Sequence, residues 1–220
     1  MIVSLENISL KYFTKNGRLD VLENFNLQVN EGEFISIVGS SGSGKTTILN
    51  LISGFIKPQK GKVRIKTQDL GSLVSNELAD LRLNSIGFIF QKFYLFPKLN
   101  ALQNISLPMR LKGIKMNAST ERALELMTIL KCDHKSQSYP PELSAGEQQR
   151  VAIARALAND PPLILADELT GNLDEDNVHS VLNILRDINK EGKTIILATH
   201  DDRLVKNSSR VITLGGDNVI

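Results

Sequence analysis

"GSSGSGKTT", residues 39–47, decides how the 220-residue chain folds. From Gly39 to Thr46 it matches the pattern G-x-x-x-x-G-K-[ST], and it lies between an apolar segment, "EFISIV", and a segment of helical composition, "TTILNLIS". Glycines allow a tight backbone turn that points amide groups and a helix start toward an anion. The order of strand, loop and helix predicts a phosphate-binding loop rather than a flexible glycine-rich turn.

Two side chains of this loop add chemistry of their own. Lys45 supplies a positive charge for the β and γ phosphates of a nucleotide, and Thr46 supplies a hydroxyl ligand for Mg²⁺. We assign the whole loop to nucleotide binding, namely Gly39, Ser40, Ser41, Gly42, Ser43, Gly44, Lys45, Thr46 and Thr47.

The segments around the loop predict an α/β fold with a mainly parallel sheet, because short β-branched apolar runs alternate with helical patterns. The predicted strands are "EFISIVG" (33–39), "IGFIF" (86–90), "PLILAD" (162–167), "KTIILATH" (193–200) and "RVITL" (210–214). Apolar stripes at helical spacing predict two core-facing helices, one through Ala123, Leu126, Met127 and Leu130 and one through Val178, Val181, Leu182 and Leu185. Before residue 30 the pattern predicts short antiparallel strands distinct from the parallel core. Residues 92–142 look helical and rich in loops.

Polar side chains follow the predicted strands, where an open α/β sheet binds its ligands. Asp167 suits a magnesium shell, and Glu168 could polarise a water in line with the γ-phosphate, although a solvated strand end is the alternative for this pair. His200 is either structural or catalytic. Gln91 could coordinate magnesium or orient water. Tyr12 could stack on an adenine ring or be a half-buried core tyrosine.

The octet "LSAGEQQR", residues 143–150, contains the pattern of a capping box between Ser144 and Glu147. A helix is predicted from there to Ala158, ended by the two prolines of residues 159–162. Taken alone, the octet could serve only to start that helix.

Composition limits the classes of function. Lys and Arg total 26 against 24 Asp and Glu, so the formal net charge of +2 disfavours nucleic acid as the main partner. The single cysteine, Cys132, cannot form an internal disulfide. Neither a signal peptide nor a long apolar run is present, which predicts a cytoplasmic chain.

Together these motifs resemble the nucleotide-binding subunit of an ATP-binding cassette (ABC) transporter. The resemblance runs from Tyr12 through "GSSGSGKT", Gln91, "LSAGEQQR", "LILADE" and "GNLD" to His200, in the family's order. It implies one cassette over residues 1–220, with a P-loop (RecA-like) core, an N-terminal antiparallel β subdomain and an inserted helical subdomain over about 92–158. Residues 86–109 and the "GNLD" turn further resemble the branch for lipoprotein release, macrolide export and antimicrobial-peptide export.

The resemblance also implies a mechanism. ATP with Mg²⁺ is sandwiched between two cassettes, a second copy of the chain or a homologous one, paired head to tail. The partner's site is then completed in trans by Ser144, Ala145, Gly146 and Glu147. Glu168 becomes the general base, His200 a γ-phosphate contact and Asp174 a cross-dimer contact. Gln91 links the site to a separate integral-membrane permease, which places the cassette on the cytoplasmic face of the membrane.

Three residues depart from the usual family pattern: Ala145, Glu147 and Leu169. Ala145 occupies a position where the family usually has glycine, and it would be strained at a positive φ. Glu147 occupies a position where glutamine is frequent in the family. It adds negative charge near a phosphate, which weakens the ATP sandwich unless Arg150 or another cation offsets that charge. Leu169 stands where proline usually follows the glutamate. None of the three removes a group that the chemistry requires, so we expect ATPase activity.

Two alternatives stay open from the sequence. Phe93, Tyr94, Leu95 and Phe96 form either a docking surface for a permease helix or part of the core. The alternative function is an ABC ATPase that energises a process other than transport, such as mechanical signalling across the membrane, DNA maintenance or translation.

Overall fold

The computed structural model describes residues 1–14, 17–171 and 174–215. Its strands are β1 Val3–Thr14, β2 Gly17–Val29, β3 Phe34–Val38, β4 Lys60–Ile65, β5 Gln68–Asp69, β6 Ile86–Ile89, β7 Leu163–Asp167, β8 Thr194–Ala198 and β9 Arg210–Thr213. Its helices are α1 Lys45–Ile52, α2 Ser75–Ser85, α3 Ala101–Leu111, α4 Met116–Ile129, α5 Ala145–Leu157, α6 Glu175–Lys190 and α7 Asp202–Val205.

The core is a five-stranded parallel sheet in the order β6-β7-β8-β3-β9. All five strands predicted from the sequence are present, and every residue of β7 and β8 is buried. Such burial on both faces explains why these strands read as continuous apolar runs. Because β7, β8 and β3 are neighbours in the sheet, their carboxyl ends meet at one edge and bring the segments that follow them together.

A second, antiparallel sheet has the order β2-β1-β4-β5. The predicted antiparallel pairing of the N-terminal segments is confirmed, but the prediction that they are short is wrong, since β1 has 12 residues and β2 has 13. Positive φ angles at Asn7 and Asn24 accompany shifts of register that interrupt the alternating pattern. Strand β4 was not predicted, because its exposed face is lysine-rich and only Val63 and Ile65 are buried.

Helices α3, α4 and α5 lie within the range 92–158, where the sequence predicts an inserted helical subdomain. The stripe that includes Ala123 and Met127 is buried along α4, and the stripe that includes Val178 and Leu185 is buried along α6, as predicted. Helix α2 was not predicted, because Leu78 and Leu81 are its only buried residues.

Helix α5 begins at the predicted capping box. The Ser144 hydroxyl accepts a hydrogen bond from the Glu147 amide at 3.3 Å, and the Glu147 carboxylate accepts one from the Ser144 amide at 2.8 Å. The helix ends at Leu157, one residue before the predicted end. Ala145 is its first helical residue, so the strain considered for a positive φ does not arise there.

None of the described helices is both long enough and apolar enough to cross a membrane. Cys132 is buried, and burial raises the pKa of its thiol to about 11.

Candidate functional site

The loop after β3 forms a cradle of backbone groups. Gly44 precedes α1 with φ 102°, a left-handed conformation that favours glycine, and no described side chain caps the first amides of this helix. A Cβ on Gly39 would lie 2.5 Å from Ser43 Oγ and 2.9 Å from the Leu214 carbonyl oxygen, so the loop closes only with glycine there. The buried Ser43 hydroxyl has no hydrogen-bond partner among the described residues. These free donors suit an anion.

Lys45 is held over this cradle by the loop itself. Its Nζ donates to the carbonyl oxygens of Gly39 at 2.8 Å and Ser40 at 3.1 Å, and only 7% of the residue is exposed. The same nitrogen lies 3.6 Å from Oε1 of Glu168. The amine is therefore fixed between the loop and the carboxylate that follows β7.

Thr46 and Asp167 form the candidate metal position. The Thr46 hydroxyl is 2.9 Å and 3.1 Å from the two carboxylate oxygens of Asp167. Burial raises the pKa of Asp167, with the Thr46 hydrogen bond opposing this and the charge of Glu168 adding to it. A buried anion beside a hydroxyl is a hard oxygen set that suits Mg²⁺.

Within residues 1–14, 17–171 and 174–215, no group of three or more His, Cys, Asp and Glu side chains could hold a metal ion by itself. The oxygen pair of Thr46 and Asp167 therefore fits an ion whose remaining ligands come from phosphates and water, as is common for Mg²⁺ in nucleotide sites.

Glu168 has an unusual backbone for a side chain of its size. Its φ is 46°, in the left-handed region, and its amide donates to the Ala198 carbonyl at 2.9 Å. Such a conformation costs on the order of 1–3 kcal/mol and is commonly retained where function requires it. The turn directs Oε2 to within 2.7 Å of His200 Nδ1, although from the described residues this oxygen accepts no aligned hydrogen bond. A mostly buried carboxylate thus joins Lys45 to an exposed imidazole.

Most of these groups line a cleft of about 570 Å³, a size typical of small-molecule sites. The lining residues are Tyr12, Val21, Gly39, Ser40, Ser41, Gly42, Gly44, Lys45, Thr46, Thr47, Gln91, Glu168 and His200. All but Val21 were assigned from the sequence. A Cβ on Gly44 would lie 2.9 Å from Val21 Cγ1. Val21 was not predicted because this contact joins segments that are distant in the sequence.

Tyr12 is 41% exposed at this cleft, so the interpretation of it as a core residue is wrong. Gln91 is also exposed and lines the cleft, two residues after the end of β6. Ser43 and Asp167 do not line the cleft, although both contact groups that do.

In the described part of the chain, the octet contributes nothing to the lining of this cleft. Ser144 is exposed, Ala145 and Glu147 are half-buried and Gly146 is buried. The helix start is therefore not part of the wall of the cleft that the phosphate cradle of the same chain forms.

The charge of Glu147 is offset, but Arg150 is not the residue that offsets it. Oε1 of Glu147 lies 3.4 Å from Lys135 Nζ and 3.6 Å from His134 Nε2, whereas Arg150 donates to the Leu130 carbonyl. Burial acts to raise the pKa of Glu147, but hydrogen bonds from Ser144 and Lys135 outweigh it, and the pKa is lowered. Lys135 lies on a separate 3₁₀ turn, so sequence spacing gave no signal of this pair.

Leu169 and Asp174 follow Glu168 in the chain and differ in their surroundings. Leu169 is 2% exposed and packs in the core cluster beneath α6. Asp174 caps α6, its Oδ1 accepting from the Asn177 amide at 2.9 Å. Asn172 and Leu173 of the "GNLD" turn lie outside the described residues.

The segment after Gln91 contributes to an aromatic groove. Tyr94 and Phe96 are exposed and line a groove of about 440 Å³ together with Phe88 and Phe90, whose rings stack at 4.1 Å. By contrast, Phe93 and Leu95 are half-buried. Exposure of Tyr94 and Phe96 therefore agrees with a docking surface, whereas the partial burial of Phe93 and Leu95 agrees with a place in the core.

Four features occur together here: the phosphate cradle, the buried lysine, the Thr–Asp pair and the parallel sheet. They define a P-loop nucleoside triphosphatase. The sequence profile described as "ABC transporter" matches residues 22–171, and the chain belongs to this family of ATP-hydrolysing cassettes.

Individual relatives support this membership. The chain is 41% identical over 219 residues to an uncharacterized ABC transporter ATP-binding protein, MJ1508, of Methanocaldococcus jannaschii, with 100% of this chain and 98% of the relative covered. It is 39% identical over 219 residues to the uncharacterized ABC transporter ATP-binding protein YknY of Bacillus subtilis, with 100% and 95% covered.

A solved structure gives the same result for the fold. The dimeric structure of a post-hydrolysis state of the M. jannaschii ATP-binding cassette MJ0796, bound to ADP and Pi, matches with a TM-score of 0.91 at 40% identity. The match covers 97% of this chain and 94% of that chain.

Proposed function

We propose that the chain dimerises head to tail on MgATP, hydrolyses it, and thereby powers a separate membrane permease. The observation that carries this proposal is the division of the site. One chain holds a phosphate cleft, whereas its exposed helix start at Ser144 is not among the residues that line that cleft. The similar cassette MJ0796 is a dimer bound to ADP and Pi in its post-hydrolysis state, which supports a dimer here as well.

Each residue of the cleft takes a role from its position. Tyr12 stacks on the adenine, and the phosphates bind Lys45 and the amides of Gly39, Ser40, Ser41, Gly42, Ser43, Gly44 and Thr47. Glu168 accepts the proton of the attacking water, because it is the carboxylate nearest the Lys45 amine and the His200 ring. His200 donates to the γ-phosphate once its contact with Glu168 is released.

Thr46, Asp167 and Gln91 would hold Mg²⁺. When bound, the ion neutralises charge on the phosphate oxygens and polarises them. Thr46 and Asp167 already lie within hydrogen-bond distance, so little rearrangement of these two side chains is required.

From the partner, the dimer adds the start of α5. Ser144, Ala145, Gly146 and Glu147 approach the γ-phosphate of the other chain's ATP, and Asp174 contacts the other chain nearby. An exposed helix start favours an anion through its free amides and dipole.

We infer that the permease docks on the aromatic groove next to Gln91. Exposed Tyr94 and Phe96 with stacked Phe88 and Phe90 present the apolar surface that a permease helix would cover. Docking there places the cassette on the cytoplasmic face of a membrane. Residues 86–109 and the "GNLD" turn favour the export and lipoprotein-release branch, with lipoproteins, peptides or drugs as cargo.

Replacing Glu168 by Gln tests the chemical step, because the amide keeps the shape of the side chain and cannot accept a proton. We expect nucleotide affinity to be retained and ATP turnover to fall by about 10² or more. Glu121→Gln, an exposed position of α4, is the matched control. Turnover of Glu168→Gln at the wild-type rate would contradict the assigned base. A monomeric Glu168→Gln protein in saturating ATP, measured by analytical ultracentrifugation, would contradict the head-to-tail dimer.

A further inference from the structure

Asn177 makes contacts on two sides of its amide group. On one side, Nδ2 donates to both carboxylate oxygens of Asp174, at 2.9 Å each, and the Asn177 backbone amide donates to Oδ1 at 2.9 Å. An ordinary N-cap requires only the backbone contact. The additional side-chain bonds fix the orientation of the Asp174 carboxylate.

On the other side, the amide group lies against Gly146 in the first turn of α5. A Cβ on Gly146 would lie 2.6 Å from Oδ1, 2.7 Å from Cγ and 2.8 Å from Nδ2 of Asn177. Gly146 is helical and buried, so glycine is required there for space and not for an unusual φ. The side chain of Asn177 therefore touches the helix start that the octet encodes.

We propose that Asn177 is a positioning residue that joins Asp174 to the start of α5, so that both are presented to a partner chain as one unit. The inference rests on the proposed head-to-tail dimer, in which these are the two elements that act on the partner's ATP site. Both Asp174 and Ser144 are exposed, as residues that contact a partner chain must be in the monomer.

The chemistry of asparagine suits this position. Its planar amide offers hydrogens to the carboxylate oxygens while one flat face packs on the glycine. Aspartate would repel the Asp174 carboxylate, and alanine would leave it without its side-chain donor and open a gap beside Gly146. Threonine keeps one hydroxyl donor and part of the volume.

The test uses the Glu168→Gln chain, in which ATP turnover is expected to be slow. Adding Asn177→Ala should weaken ATP-driven dimerisation by about tenfold, in the range of coupling between contacting residues. Affinity of the monomer for a fluorescent ATP analogue should not change, since Asn177 is not part of the cleft. Asn183→Ala, an exposed asparagine on the same helix, should dimerise like the parent, and Asn177→Thr should be intermediate.

A pair of substitutions separates positioning from simple packing. Gly146→Ala alone should lower the melting temperature, because its methyl group meets the Asn177 amide. Combining it with Asn177→Ala removes that clash and should restore the melting temperature but not the ATP-driven dimer. Recovery of both would show that Asn177 only fills space, which contradicts the proposal.

The outcomes distinguish this inference from the proposed function. If the Glu168→Gln parent forms no dimer in ATP, the head-to-tail dimer is wrong and the inference falls with it. If the parent dimerises and Asn177→Ala dimerises equally tightly, only the inference is overturned.

Discussion

The Asp167 carboxyl is buried, with only 7% of the residue exposed to water. Burial raises the pKa of its carboxyl, and the hydroxyl of Thr46 compensates only in part. Because the folded state disfavours the ionised form, the charge destabilises the fold above the folded pKa. The penalty disappears as the pH falls below the pKa of the unfolded chain, near 3.9. A cation at this position would remove the same penalty at neutral pH.

We therefore predict that Asp167→Asn increases the free energy of unfolding of the nucleotide-free protein at pH 7. The gain should shrink as the pH approaches 4. Urea denaturation in EDTA over a pH series measures this, with Asp80→Asn, an exposed residue of α2, as the control. In MgATP the wild type should instead be more stable than Asp167→Asn, because the variant lacks a metal ligand. A variant that is less stable than wild type in EDTA at pH 7 would contradict the prediction.

Residues that end a strand could be predicted, and residues that act through distant contacts could not. Asp167 and Thr46 follow from local patterns, because a carboxylate that ends an apolar strand and a hydroxyl that follows a glycine-rich loop are each visible in one segment. Lys135 and Asn177 became functional candidates only when folding placed them beside Glu147 and Gly146. Their role depends on packing between elements, which sequence spacing does not encode.

At the scale of elements, α5 is bonded to a neighbouring segment near each end. Near its start, Glu147 pairs with Lys135. Near its end, the guanidinium of Arg155 donates to the carbonyl oxygens of both Phe93 and Tyr94. These two residues have φ angles of 57° and 46°, so Arg155 stabilises a strained backbone. Burial lowers the pKa of Arg155 to about 10, and the group remains charged at neutral pH.

Arg155→Lys should release this segment, because an ammonium group cannot reproduce the planar fork of a guanidinium on two carbonyls. Loss of one charged hydrogen bond, about 1.5 kcal/mol or more, corresponds to at least about tenfold faster hydrogen exchange at residues 93–96. Hydrogen–deuterium exchange with mass spectrometry measures it, and Arg186→Lys on α6 is an exposed control. Unchanged exchange at residues 93–96 would show that the two bonds do not hold the loop.

The elements themselves were predictable to different degrees. Strands buried on both faces, such as β7 and β8, are unmistakable in sequence, and so is the stripe of α6. Helix α2 and strand β4 bury too few residues to produce a clear period. Their position is determined by packing against the rest of the fold.

In the whole molecule, several polar groups in and beside the cleft contact one another. Lys45 bonds to loop carbonyls, Thr46 bonds to Asp167, and Glu168 lies against Lys45 and His200. In the proposed function, binding of ATP exchanges contacts among these groups for contacts to phosphate or metal. In the proposed dimer, the remaining contacts of the γ-phosphate come from the start of α5 of a second chain. One folded chain therefore does not contain the whole site.

Complementation between two defective chains tests that division of the site. In the Glu168→Gln background, Lys45→Ala removes the phosphate contact and Ser144→Arg blocks the helix start, so a homodimer of either variant has no intact site. A mixed dimer has one, formed by the cleft of the Ser144→Arg chain and the helix start of the Lys45→Ala chain.

Native mass spectrometry in MgATP should therefore detect dimers in the mixture and monomers in each separate sample. The cost of replacing an N-cap serine is about 1 kcal/mol, small against the stability of a domain of this size, so both chains should fold. If either variant formed dimers alone, the cleft and the helix start would not meet across the interface. When each site is shared between two chains, an intact site forms only if one defect lies on each chain of the dimer.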